Sequence, residues 1–170
     1  MMRFRRPRQA VLALTLAAIS LQSAAVAASD VVPSDYVGKL ADGTPVKLSD
    51  YAGKAVVLSF WATWCGYCLK ELPVLNAIQK SPAKDRIQVI AVNTEDKMTF
   101  RDAARELRGL AIKMANDSDK TAQEAFGVNG IPHMVIIGKD GKIIRVYRGY
   151  DEAMLGKIVN DINQATGALQ

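Results

Sequence analysis

The segment Ala55-Val56-Val57-Leu58-Ser59-Phe60-Trp61-Ala62-Thr63-Trp64-Cys65-Gly66-Tyr67-Cys68-Leu69-Lys70-Glu71-Leu72-Pro73 joins an apolar run to both of the chain's cysteines and then to residues at helical spacing. The run Ala55 to Phe60 has the composition of a central strand covered on both faces of its sheet. Two cysteines separated by two residues, where a strand hands over to a helix, make a reversible dithiol/disulfide couple that can exchange electrons with other proteins' cysteines. From Cys68 to Lys80, Leu72, Leu75, Ala77 and Ile78 recur at roughly helical spacing, and Pro73 is expected to kink this helix early rather than end it.

Thiol–disulfide exchange needs a thiolate that attacks one sulfur and a second thiol close enough to release the mixed disulfide. Cys65, at the helix start, meets unpaired backbone N–H groups and the positive end of the helix dipole, which both stabilise its thiolate. Lowering a thiol pKa from about 8.5 to about 7 corresponds to ~2 kcal/mol and raises the thiolate fraction at neutral pH more than tenfold. Cys65 is therefore the expected nucleophile, and Cys68, one turn along and more buried, the expected resolving thiol. Other uses of the pair fit poorly. A zinc site needs four ligands, and beyond the two cysteines the chain offers a single histidine, His133. Haem attachment needs His after the second cysteine, and position 69 is Leu. A purely structural disulfide closing so short a loop constrains little. Neither a metal nor an organic cofactor is expected; the redox group is the Cys65–Cys68 pair itself.

With 170 residues the chain fits one domain with a real core. Its net charge of +5 resides mostly at the N-terminus. Arg3, Arg5, Arg6 and Arg8 precede an apolar stretch from Ala10 to Leu21, and small residues follow through Ala28. That is the pattern of a secretory signal peptide over residues 1–27, with a cut before Ala28 or, nearly as well placed, before Ser29. The alternative is an uncleaved anchor, although the uninterrupted apolar part falls short of the roughly 20 residues that span a bilayer. Pro7-Arg8-Gln9 follows Arg5-Arg6 where a twin-arginine signal prefers apolar residues, so general secretion is the expected route. Loss of the four arginines leaves eighteen basic residues against seventeen acidic ones, which gives no electrostatic case for binding nucleic acid. Export would place the dithiol in an oxidising compartment.

The remaining chain reads as alternating strands and helices. Tyr36 to Leu48 forms two extended pieces around Asp42-Gly43, a hairpin signal. Ile87 to Val92 is a second buried strand, and Phe100, Ala103, Ala104 and Leu107 mark an amphipathic helix ending near Gly109. A short strand is expected over Leu110 to Met114, and a short helix over Asp119 to Phe126. Met134 to Ile137 and Ile143 to Tyr147 flank the turn Lys139-Asp140-Gly141-Lys142, a second hairpin. Met154, Leu155, Ile158, Val159 and Ile162 give the last helix an apolar stripe. The pattern predicts an α/β domain over residues 28–170 with a central mixed sheet flanked by helices.

Phe60 to Cys68 resembles the active-site segment of the thioredoxin superfamily, and the wider chain resembles its exported TlpA/ResA-like branch of thiol–disulfide oxidoreductases. The resemblance extends to the opening hairpin ending Leu48-Ser49-Asp50-Tyr51-Ala52-Gly53-Lys54, to Glu71 and Pro73, to Phe126-Gly127-Val128-Asn129-Gly130-Ile131-Pro132, and to the hairpin at Asp140-Gly141. It implies a thioredoxin-like fold with an added N-terminal β-hairpin. It implies a cis peptide bond before Pro132, opposite the disulfide, and a substrate-binding surface drawn from Trp64, Gly66, Tyr67, Ile131 and Pro132. Trp61 is expected in the core. Glu71 matches an acidic residue beneath the site that is thought to help move the proton of the buried cysteine; a solvated helix glutamate is the alternative. Position 59, where thioredoxin carries a buried Asp, is Ser.

Two positions depart from the family pattern. Tyr67 replaces a common proline, and Cys-Gly-Tyr-Cys also resembles the periplasmic disulfide isomerases. His133 follows Pro132, either as a polar residue at a strand start or as a group acting on Cys65 or on docking. The resemblance implies a monomeric protein-disulfide reductase of the periplasm. Its partners would be disulfide-containing exported proteins, with apocytochrome c among them, and a membrane thiol-transporting electron donor. A disulfide isomerase or oxidase, or a non-enzymatic binding module, are the alternatives.

Overall fold

A computed structural model describes residues 31–167, so the expected signal segment 1–27 lies outside the described residues. The described residues form seven strands and four α-helices in the order β1 (Tyr36–Lys39), β2 (Pro45–Lys47), β3 (Ala55–Trp61), α1 (Gly66–Gln79), β4 (Ile87–Asn93), α2 (Lys97–Glu106), β5 (Lys113–Asn116), α3 (Thr121–Ala125), β6 (His133–Ile137), β7 (Ile143–Arg148) and α4 (Leu155–Ala165). The strands make one mixed sheet in the order β2-β1-β5-β4-β3-β6-β7. The expected opening hairpin closes at Asp42-Gly43, where Asp42 Oδ1 accepts from the Thr44 N–H at 2.9 Å, and it forms the outer edge of the sheet beyond β5.

The topology follows from which strands run together. β3, β4 and β5 are parallel neighbours, so α1 and α2 are crossovers, and their right-handedness places both helices on one face. Side chains alternate accordingly. Ala55, Val57 and Trp61 of β3, Val89 and Ala91 of β4, and Met134 and Ile136 of β6 join Leu72, Leu75, Ala103, Ile158 and Ile162 from α1, α2 and α4. Val56, Leu58, Phe60, Ile90, Val92, Val135 and Ile137 face the other way, against Val37, Val46, Ala122 and Phe126. With β3 covered on both faces, each fully buried Val or Leu there contributes about 2 kcal/mol.

Three expectations shift. The strand expected over Leu110 to Met114 starts at Lys113, because the Leu110 N–H turns back to Leu107 O at 2.9 Å and the Ala111 N–H goes to Asn76 Oδ1 at 2.7 Å. α1 begins at Gly66, two residues earlier than the stretch from Cys68, while Pro73, as expected, does not end it and the helix runs on to Gln79. On α4 the buried positions are Ile158, Asp161, Ile162 and Ala165, while Val159 and, just before the helix, Met154 are exposed.

Gly38 has a requirement of its own. Its φ of +136° and the approach of Asn116 O to 2.8 Å from where a Cβ would sit leave room only for glycine.

Candidate active site

β3 and β4 are parallel, so both deliver their C-terminal ends to the same edge of the sheet, and the segment after each strand meets the other there. After β3 the chain turns tightly, with the Cys65 N–H bonded to Ala62 O at 3.1 Å, and Cys65 becomes the N-cap of α1. Its Sγ accepts the Cys68 backbone N–H at 3.2 Å, which puts the sulfur over the positive end of the helix. Cys65 and Cys68 are joined by a disulfide, with Cα atoms 5.2 Å apart. Cys65 retains 6% exposure and Cys68 none, the asymmetry an attacking and a resolving thiol require.

One turn beyond Cys68, Glu71 points inward and is 1% exposed. The Ser59 hydroxyl of β3 donates to Glu71 Oε2 at 2.7 Å. Burial pushes the Glu71 carboxyl up from 4.5 to about 7, and the Ser59 bond pulls it part of the way back. Near neutral pH the group can hold or release a proton beneath the dithiol.

The antiparallel pairing of β6 with β3 sets Phe60 opposite His133, so Ile131 and Pro132, just before β6, reach the edge where β3 runs into the cysteine loop. The Ile131–Pro132 peptide bond is cis. Ile131 packs against the cluster that contains Cys65 and Cys68. Around this edge Trp64 is 73% and Tyr67 64% exposed, whereas Trp61 is wholly buried. Gly66, in the first turn of α1, is open, with nothing near a Cβ position. Beside Tyr67 a cleft of about 420 Å³ is lined by Tyr67, Lys70, Tyr150, Asp151 and Glu152.

The expected site residues are thus brought together at one edge, except His133. Its ring stands edge-on to Phe60 at 6.0 Å, within the cluster on the other face of the sheet. Neither ring nitrogen has a partner among the described residues, and burial, helped by Arg148, lowers its pKa. Two contributors escaped the sequence reading. Tyr150 is buried in the same core cluster as the cysteines, and Glu95 bonds the cysteine loop from the segment after β4. A signal for Glu95 existed: a polar residue two positions beyond the end of a buried parallel strand lies at the edge that carries the thiols.

Residues 26–165 match the Redoxin family. The chain is 31% identical over 150 residues to the thiol-disulfide oxidoreductase ResA of Geobacillus thermodenitrificans, covering 84% of this chain and 86% of that protein. It shares 30% identity and a TM-score of 0.71 with the crystal structure of a thiol:disulfide interchange protein described as DsbE from Chlorobium tepidum, over 82% of this chain and 97% of the other. A thioredoxin from Neisseria meningitidis is 27% identical with a TM-score of 0.70, over 84% and 93% of the two chains.

Proposed function

The chain belongs to the Redoxin family and, within the thioredoxin superfamily, is a ResA/TlpA-like thiol–disulfide oxidoreductase; from that premise we propose that it is exported and reduces disulfides in other exported proteins. The observation that carries the reading is one arrangement: Cys65 Sγ, the more accessible of the two sulfurs, at the helix N-terminus, with the wholly buried Cys68 and the Glu71 carboxyl, raised to about 7, behind it.

In the proposed cycle the Cys65 thiolate attacks one sulfur of a partner's disulfide. A Cys65–partner disulfide forms, and the partner's S–S bond breaks to leave a thiolate, which takes a proton. Glu71 then accepts the Cys68 proton, and the Cys68 sulfur attacks Cys65 Sγ. The Cys65–Cys68 bond closes as the Cys65–partner bond breaks; the second partner sulfur leaves as a thiolate and takes a proton from solvent, so the partner departs as a dithiol, reduced by two electrons. Trp64, Gly66 and Tyr67 on one side and Ile131 and Pro132 on the other form the surface against which the partner's chain lies. A membrane thiol transporter would restore the dithiol, and an apocytochrome c is among the substrates the ResA resemblance points to. The arginine-headed segment 1–27 supports export to the periplasm. Tyr67 favours a second reading, a disulfide isomerase or oxidase.

The test is capture in cells with Cys68→Ser, which leaves the mixed disulfide at Cys65 unresolved, together with a glutathione redox titration of the unaltered protein. A reductase should hold a membrane electron donor or a cytochrome precursor and show a potential near that of thioredoxin, about −270 mV. A potential near about −120 mV with many unrelated partners would replace reduction by oxidation or isomerisation.

A further inference from the structure

The cysteine loop is held from outside its own hairpin of strand and helix. Glu95 Oε2 accepts the Thr63 backbone N–H at 2.7 Å, and Glu95 Oε1 accepts the Thr63 hydroxyl at 2.8 Å. Both carboxylate oxygens thereby bond one residue, two positions before the nucleophile. The carboxylate is itself aimed. Asn93 Nδ2 donates to Glu95 Oε2 at 3.0 Å, Asn93 Oδ1 accepts the Glu95 N–H at 2.9 Å, and Asn116 Nδ2 donates to the Glu95 carbonyl at 2.8 Å. Asn93 and Asn116 are both buried, on neighbouring strands and paired in register. A second tie joins the same segments, from the Thr94 N–H to Trp61 O at 3.0 Å.

We infer that Glu95 is a positioning residue for thiol–disulfide exchange: through Thr63 it fixes the Thr63-Trp64-Cys65 segment so that Cys65 Sγ stays over the first turn of α1. A charge-assisted pair of hydrogen bonds is the kind of contact that can hold a loop against its own entropy. The buried asparagines give the carboxylate one orientation rather than several, and a thiolate at a helix end is stabilised only while it stays within that first turn. Released from Glu95, Thr63 carries an unpaired N–H, and Cys65 moves off the axis that favours its ionised form. The assignment rests on the reading that Cys65 is the attacking thiol.

Geometry and charge predict opposite results, which makes the test decisive. The pH midpoint for alkylation of Cys65 by iodoacetamide is measured in the full chain carrying Cys68→Ser, whose backbone N–H still reaches Cys65. Glu95→Gln and Thr63→Val are each expected to move the midpoint upward by about half a pH unit, a roughly threefold loss of thiolate below it. Thr63→Ser, which keeps both donors, restores the parent value. With no second thiol in this background, the shift reports on Cys65 alone. If Glu95 acted only through its negative charge, Glu95→Gln would lower the midpoint and Thr63→Val would leave it in place; either result overturns the assignment. Insulin reduction by the unaltered chain separates this from the parent reading. Active wild-type protein with unmoved midpoints refutes Glu95 alone, and inactive wild-type protein refutes the reductase.

Discussion

The Ser59 hydroxyl lies 2.7 Å from Glu71 Oε2 inside the protein, where the central strand passes beneath the helix that Cys65 caps and Cys68 belongs to. A strand residue and a helix residue twelve positions apart thus make a proton-holding pair within one turn of Cys68. The pair is an energetic cost to the fold at neutral pH and a resource for its chemistry.

That cost has a sign. The Glu71 pKa is raised in the folded state to about 7 from 4.5, so the folded protein binds a proton that the unfolded chain has released. Stability therefore falls as pH rises from about 4.5 to about 7, by on the order of 3 kcal/mol for this group alone. Glu71→Gln keeps an acceptor for Ser59 and removes the titration. In urea unfolding across that range, the stability difference between variant and wild type should grow with pH. A difference that stays flat would mean that Glu71 is not held protonated.

The same substitution should slow the chemistry. With no carboxylate to take the Cys68 proton, release of a mixed disulfide by Glu71→Gln should be about 100-fold slower near pH 7, within the usual range for general acid–base catalysis. Attack by Cys65, measured by alkylation, should change little. Single-turnover kinetics with a disulfide peptide separate the two steps, and equal slowing of both would remove Glu71 from the proton path.

The sequence made the dithiol and its setting legible because each part has a local cause. Ala55 to Phe60 is apolar enough to require burial on both faces, and two thiols opening a helix have one well-populated use. Pro132 and Glu71 became readable only through resemblance, since an X-Pro bond carries no local mark of its isomer and a glutamate none of its burial. Asp161 illustrates what stays hidden. At a helix position that pattern alone would give to solvent, it is buried because Tyr147, Arg145 and Lys157 all reach it, and that is decided by packing between α4 and β7. Val159, expected in the stripe, is exposed at the surface.

Asp161 Oδ2 takes the Tyr147 hydroxyl at 2.6 Å, and burial together with this carboxylate pushes the Tyr147 pKa up to about 12. In a spectrophotometric titration, Tyr147→Phe should delete the late tyrosine ionisation near 12, and Asp161→Asn should shift it earlier. The loss of the bond in Tyr147→Phe should cost about 1.5 kcal/mol, as for a hydrogen bond to a charged group. Because Asp161 is held below its ordinary pKa, its part of the stability is present above about pH 4 and fades as pH falls through the lowered value. An Asp161→Asn variant as stable as wild type at pH 7 would discount the cluster.

Gly38→Ala should destabilise the fold by about 2 kcal/mol, because a Cβ there meets Asn116 O at 2.8 Å and the φ of +136° strains any other residue. The loss should centre on the outer hairpin. Hydrogen exchange should accelerate in β1 and β2 while β3 and β4, which pair independently of them, stay protected. Uniform acceleration across the sheet would contradict an edge docked mainly at this point.

His133 opposes Glu71 in its pH dependence. Its ring is buried with both nitrogens unpartnered, and desolvation, then Arg148, lowers its pKa. The unfolded chain takes up a proton below about pH 6.5 that the folded ring refuses, so stability falls as pH drops through that region. His133→Leu, similar in volume and without unpaired polar atoms, should be more stable than wild type by about 1 kcal/mol at pH 7, and by more at pH 5. The ring faces Phe60, on the far side of the sheet from Cys65, so the alkylation midpoint of Cys65 should not move. Urea midpoints at the two pH values decide it. A wild type that outlasts the variant at pH 5 would mean that the ring is paired and charged, and the face assigned to it would then be wrong.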